Sequence, residues 1–310
     1  MTKTAFVFPG QASQYQGMGH DLYENYEEAR KVFDQADQAL GFAISKLCFE
    51  GPDSELQLTA NTQPAILVVS VAVYRVLSKL GLQPNYVAGH SLGEYSALVA
   101  ADALDLSTAV QLVHKRGIYM QEAVPFGLGA MAAIIGADLE IVKEVCAQVA
   151  GDEICSPANL NTPTQAVIAG HKAAVERAVE ELKVRKAGRA KILPVSAPFH
   201  CALMKPAADK LAMDLSAIDF QDPIFPIVNN VDASVTTKGE DLKQNLIRQV
   251  CSPVRWVESI ELMVNNGVER FIEVGPKNVL IGLIKKIAPN ATLFNVEDSN
   301  TLEQIMRNQN

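Results

Sequence analysis

Long apolar runs are scarce in this sequence. The uncharged stretch 123–137 falls short of the roughly 18 apolar residues that a bilayer crossing needs, and Pro125, Gly127, Gly129 and Gly136 interrupt it, so no membrane span is expected. The features of a signal peptide are missing too. The N-terminus passes straight into the strand-like Thr4–Phe8 without basic, apolar and cleavage regions, and a cytoplasmic location is the expectation. Cysteine is sparse: Cys48, Cys146, Cys155, Cys201 and Cys251 form no CxxC pair. This odd, scattered set suits reduced thiols better than disulfides or a metal site, so no metal is expected. Basic charge is in short supply, with 27 Lys and Arg against 35 Asp and Glu and a formal net charge of −8. That balance argues against nonspecific nucleic-acid binding, which needs basic surface.

Apolar residues make up 48% of the chain and charged residues 20%, without low-complexity blocks, so a sizeable buried core is expected. A length of 310 residues admits one large domain or two modest ones. Short β-rich runs alternate with helical patterns: Thr4–Phe8, helices near Tyr26–Leu40 and Gln63–Leu80, Tyr86–Gly89, then helices after Ser91 and Ser107. Such alternation predicts a parallel α/β sheet. From Ala130 the rhythm changes to strand (Met131–Ile135), helix (Leu139–Val149), two strands (Ile154–Asn159, Gln165–Ala169), helix (Ala173–Ala187) and strand (Lys191–Val195). This βαββαβ order is the ferredoxin-like signature. The α/β pattern returns after Pro198, with a helix near Met204–Ala217, a strand at Phe225–Asn229, a helix near Asp241–Val250 and a strand at Arg270–Val274. The division predicted is a large hydrolase-like domain, 1–125 and 198–310, with a small ferredoxin-like domain, 126–197, inserted into it.

Gly89-x-Ser91-x-Gly93 stands between a β run and a helix with apolar Leu92, Tyr95, Leu98 and Val99, the setting of a nucleophile elbow. The sharp turn demands small residues two before and two after the serine, and the helix N-terminus beneath offers free N–H groups to an oxyanion, that of Leu92 first. A serine hydroxyl needs a base, and five histidines compete. His90 would point away from its neighbour Ser91, His114 lies within a helix, His171 begins one and His20 sits in a polar loop. His200, between a predicted strand and a helix, is the candidate. No Asp or Glu between Ser91 and His200 stands out as the acid of a hydrolase triad. On the helix 107–122, Ala109, Val113, Arg116 and Met120 share a face, which puts a guanidinium among apolar side chains. It either forms a structural ion pair, snorkels to water, or clamps a substrate carboxylate. Gln11, in the Pro-Gly turn after the first strand, reaches the same sheet edge if that strand neighbours the one before Ser91, and its amide or N–H could complete an oxyanion hole.

Phe8-Pro-Gly-Gln11, Thr59-x-x-Thr-Gln63-Pro, Gly89-His-Ser-Leu-Gly-Glu94, Arg116, Asn159-x-Asn161, His200 and Gly275-Pro276 together resemble the malonyl-CoA:acyl carrier protein transacylase family of fatty-acid synthesis, over nearly the whole chain. The motifs are shared with acyltransferase domains of polyketide synthases. The resemblance implies transfer of a malonyl group from malonyl-CoA to acyl carrier protein through an ester on Ser91. It also implies a Ser91–His200 dyad oriented by a backbone carbonyl of Gln249, an oxyanion hole of Gln11 and Leu92, and Arg116 on the malonyl carboxylate. Gln63, Asn159, Asn161, Phe199 and His90 are implied substrate contacts, Phe199 by excluding an α-methyl group. Ala12 departs from the glycine common after this glutamine. No cofactor is expected, the coenzyme A thioester being a substrate, and the chain is expected to be a monomer. Carrier proteins of this kind are acidic, so a local basic patch is required. Lys183, Arg185, Lys186, Arg189 and Lys191 are the candidates, with Lys285 and Lys286 a second choice. A polyketide-synthase acyltransferase and a serine thioesterase are the competing readings.

Overall fold

The computed structural model describes residues 2–195 and 197–308. Its strands are β1 (Lys3–Phe8), β2 (Tyr86–Gly89), β3 (Gly129–Ile135), β4 (Cys155–Thr162), β5 (Gln165–His171), β6 (Arg189–Ile192), β7 (Ile227–Val228), β8 (Val235–Thr236), β9 (Val268–Val274) and β10 (Thr292–Val296). Six form one sheet in the order β10-β9-β1-β2-β7-β8. Its pairs are parallel except β7 with β8. Successive residues of β1 face opposite ways: Phe6 and Phe8 join the core on one side of this sheet, Ala5 and Val7 the core on the other. Burial on both faces explains why its central strands are apolar without alternation.

The other four strands form an antiparallel sheet, β4-β5-β3-β6, whose helices Leu139–Ala150 and Lys172–Val184 enclose a separate core around Ile134, Val145, Ile168 and Val175. The chain order is βαββαβ, as the sequence predicts. The small sheet is tied to the segment before the helix Trp256–Asn265, where the Leu160 N–H donates to the Val254 carbonyl and the Val254 N–H to the Ala158 carbonyl, both 2.9 Å.

Two expectations within the first 80 residues need correction. His20 begins the short helix His20–Asn25 and does not lie in a loop. The helix placed at Gln63–Leu80 starts a turn earlier, at Thr59. It also contains most of a longer uncharged run, 56–74, than the stretch 123–137. By length and composition Thr59–Lys79 is able to cross a membrane, yet 83% of its most apolar window is buried inside the protein, as a core helix should be.

Candidate active site

β1 and β2 pair in parallel with Phe8 opposite Gly89, so the turns that follow them emerge at one edge of the sheet. The turn after β2 carries Ser91 at φ 53°, a left-handed conformation that costs a non-glycine residue about 1–2 kcal/mol. Glycine is required on either side. A Cβ on Gly89 would lie 1.9 Å from the Gly93 carbonyl carbon, and one on Gly93 would lie 2.0 Å from the Phe8 oxygen. Ser91 is held from both ends: its N–H donates to Asn230 Oδ1 (2.7 Å) and its carbonyl accepts from Gln249 Nε2 (3.1 Å).

Ser91 Oγ lies 2.7 Å from His200 Nε2, and His200 Nδ1 lies 2.9 Å from the Gln249 carbonyl. A carbonyl only accepts, so the imidazole proton sits on Nδ1 and donates to Gln249, which leaves Nε2 to accept the serine hydroxyl. The carbonyl takes the place an acid fills in a triad. His200 also has a positive φ, 59°. Burial first, then the nearby Arg116 guanidinium, holds its pKa down to about 3, so the ring is a neutral base at neutral pH.

Arg116 is 1% exposed, on the helix Leu106–Glu122, which Asp105 caps by accepting from the Thr108 N–H. Nη1 donates to Gln63 Oε1 (2.8 Å), and Nη2 donates to Gln249 Oε1 (2.9 Å) and Ser91 Oγ (3.3 Å). The guanidinium also lies 5.4 Å from the Tyr95 ring centroid. No carboxylate forms an ion pair with it among the described residues, and it does not snorkel to water. Of the four N–H bonds on its terminal nitrogens, three are used, one of them on the serine hydroxyl itself.

The Leu92 N–H makes no hydrogen bond among the described residues. The Gln11 amide donates to Thr59 Oγ1 (3.4 Å), while its backbone N–H makes no hydrogen bond among the described residues. Ala12 adopts φ 86°, so the loop keeps a glycine-type conformation despite the substitution.

A cavity of about 280 Å³ brings these groups together. Gln11, Gln63, His90, Ser91, Leu92, Arg116, Asn159, Asn161, Phe199 and His200 all line it, with Met131 and Val167 from the antiparallel sheet and Val279, Leu280 and Leu283 from the helix Val279–Ile287. His90 lies 2.9 Å from Asn161 Oδ1 through Nε2 and rests edge-on against Trp256, and its burial favours the neutral ring. A larger groove of about 630 Å³, near Val268 at the start of β9, is lined by no serine, cysteine or histidine, so volume does not locate this site.

The basic candidates fare unequally. Arg185 is engaged by Glu144 and Glu181, and Lys183 by Glu180. Arg189 and Lys191 stand on β6, whose chain continues into Leu193 and Val195 of the cavity wall. Lys186 is exposed just before that strand, and Lys285 and Lys286 end the helix Val279–Ile287. Glu94 and Asn230 were missed as site residues. Both are fully buried, and the only sequence signals were a motif glutamate and an asparagine after a strand.

Residues 5–309 match the model of the acyl transferase domain family. The chain is 52% identical over 293 residues to the malonyl CoA-acyl carrier protein transacylase of Escherichia coli K12, covering 94% of this chain and 95% of that one. It is 50% identical over 304 residues to the enzyme of the same name from Bacillus subtilis, covering 98% and 96%. Among solved structures it resembles an acyl carrier protein S-malonyltransferase from Vibrio cholerae, with TM-score 0.96, 50% identity and coverage of 98% and 100%. It is equally close in shape to a malonyl-transacylase solved in complex with a type II PKS acyl-carrier protein, with TM-score 0.96, 47% identity and coverage of 99% and 100%.

Proposed function

The chain belongs to the acyl transferase domain family, and from that premise we propose that it moves a malonyl group from malonyl-CoA to the phosphopantetheine thiol of acyl carrier protein, through an ester on Ser91. One observation carries the reading to the malonyl group: a buried guanidinium, free of any carboxylate among the described residues, whose Nη2 lies 3.3 Å from the nucleophile. A substrate carboxylate supplies the missing anion, with bidentate geometry that a guanidinium fits well.

In the first half-reaction the Ser91 oxygen attacks the thioester carbon while His200 Nε2 takes its proton. The Leu92 and Gln11 N–H groups receive the oxyanion. Collapse breaks the carbon–sulfur bond, and the proton returns from His200 to the departing coenzyme A sulfur. The carrier thiol then repeats the sequence in reverse on the malonyl ester, losing its proton to His200 and freeing Ser91. Gln249 orients His200 through its carbonyl, and the Gln63 and Gln249 amides aim Arg116. Asn159, Asn161 and His90 shape the wall that the antiparallel sheet lends to the site, and Phe199 restricts room beside the malonyl α-carbon. The thioester carries its own activation, so the reaction calls for no cofactor.

Residues 126–197 are proposed as a small domain that closes the site of the larger one, 1–125 and 198–310. The acidic carrier is proposed to dock at Lys186, Arg189 and Lys191, with Lys183 and Arg185 contributing less because acidic neighbours already engage them. The reaction is assigned to the cytoplasm and to fatty-acid synthesis. A polyketide carrier is the second reading, favoured by the 47% identity to the transacylase solved with a type II PKS carrier. Malonyl-enzyme, formed and freed of excess malonyl-CoA, should discharge to holo-carrier protein much faster than to water. Discharge to water at the same rate in its presence and absence would identify a thioesterase.

A further inference from the structure

Glu94 is a fully buried carboxylate for which the scheme above has no use. Its Oε2 accepts two hydrogen bonds, from Gln249 Nε2 (2.8 Å) and from the Asn230 backbone N–H (3.0 Å). Each donor leads to a reacting group. The Gln249 amide passes on to Arg116, its Oε1 accepting from Nη2 at 2.9 Å. The Asn230 side chain grips the nucleophile turn, accepting from the Ser91 N–H (2.7 Å) and donating to the Gly89 carbonyl (2.6 Å).

An amide can be turned end for end, and its surroundings decide which end faces where. On the Nε2 side of Gln249 stand only acceptors: Glu94 Oε2, the Ser91 carbonyl at 3.1 Å and Asn230 Oδ1 at 3.4 Å. On the other side stands a cation. Reversal would set an amide N–H against the guanidinium and oxygen against oxygen. The amide also keeps cation and carboxylate apart, because Glu94 orients Arg116 without forming an ion pair that would occupy it.

We propose that Glu94 is a positioning residue: it locks the Gln249 amide so that Arg116 is aimed at the malonyl carboxylate, and through Asn230 it braces the Ser91 turn. The proposal rests on the reading that Arg116 receives that carboxylate. What Glu94 supplies is an acceptor at a fixed reach. Its second oxygen has no partner among the described residues, and burial lifts its pKa to about 7.

The test compares Glu94→Gln, which keeps the reach and an acceptor oxygen but loses the charge, with Glu94→Asp, which keeps the charge but withdraws it by one methylene. Acylation by malonyl-CoA and by acetyl-CoA is measured for each, with thermal melts to establish folding. Glu94→Asp is expected to lower the malonyl-over-acetyl ratio of kcat/KM by about ten- to hundredfold, as loss of a hydrogen bond to a charged group does, with a raised KM for malonyl-CoA. Glu94→Gln should stay within about threefold of the parent ratio. Loss in Glu94→Gln as large as in Glu94→Asp would show that an acceptor at the right reach is not sufficient, and loss falling equally on both thioesters would make Glu94 merely structural; either overturns the proposal. So does an unchanged ratio in Glu94→Asp. Should that variant not fold, Glu94→Met, which removes the acceptor at similar volume, takes its place with the same expected loss. The parent protein distinguishes the two failures: if it takes acetyl as readily as malonyl, the Arg116 reading falls, and the proposal with it.

Discussion

Ser91 and His200 face each other across 2.7 Å, each in a left-handed backbone conformation that a side chain ordinarily avoids. Two such residues in contact mark a place where the surrounding structure holds strain for a purpose. His200 is the more informative of the two. Its lowered pKa keeps the base neutral far below the usual histidine range. The sign follows directly: a depressed pKa moves the acid limb of the rate profile to lower pH. Acylation kcat/KM for malonyl-CoA should therefore stay nearly level from pH 8 down to pH 5, whereas a base with a pKa near 6.5 would lose about thirtyfold over that range. Ser91, His200 and Arg116 were all legible in the sequence, because each breaks a local pattern: a serine between glycines, a histidine in a strand-to-helix loop, an arginine on an apolar helix face. Glu94 was not. A glutamate in the first turn of a helix is what the helix dipole favours anyway, and its partners stand at 230 and 249. The Gln249 carbonyl came from family resemblance alone, since a backbone group leaves no mark on composition or spacing.

At the level of elements, the β2 strand, its turn and the helix Gly93–Ala100 form the unit on which the chemistry depends. Gly93 packs directly on the Phe8 carbonyl, so Gly93→Ala forces the helix away from β1 and disturbs the two turns that carry the proposed oxyanion donors, Gln11 and Leu92. The variant is expected to lose about 3 kcal/mol of stability and most of its acylation rate, read by denaturant unfolding and by single-turnover mass spectrometry. Unchanged stability and rate would show that the elbow is not packed as described. The strands and helices of the βαββαβ unit were legible because period and punctuation agree in each. The short helices His20–Asn25, Ile44–Glu50 and Asp53–Leu56 were not, being too brief to show a period. The helix Val279–Ile287 and strand β10 were also missed. That helix is apolar over most of its circumference because it packs on the sheet while Val279, Leu280 and Leu283 line the cavity, and such a run reads equally well as strand. The final strand of the small sheet lies at Arg189–Ile192, earlier than Lys191–Val195; its pairing with β3 ends where the Leu193 N–H donates to the Met131 carbonyl (2.8 Å), and Leu193 and Val195 line the cavity.

Over the whole molecule, the site occupies the seam between the two sheets, which is why neither sheet's sequence alone contains it. A chain of net charge −8 calls for a locally basic place to meet an acidic carrier, and the one proposed is Arg189 and Lys191 on β6. Reversing charge in the pair Arg189→Glu and Lys191→Glu should raise KM for the carrier protein about tenfold at low salt and flatten the salt dependence of kcat/KM, with acylation by malonyl-CoA unchanged; an unaltered salt dependence would place docking elsewhere. The central claim is narrower: that the buried Arg116 chooses the diacid and Ser91 carries it. Intact mass after brief mixing with malonyl-CoA or acetyl-CoA measures this for the parent protein, Ser91→Ala and Arg116→Ala. A malonyl adduct that vanishes in Ser91→Ala, with poor acetyl uptake that improves relative to malonyl in Arg116→Ala, is the predicted result. Malonyl uptake by Ser91→Ala, or an Arg116→Ala protein that still prefers malonyl as strongly as the parent, would contradict it.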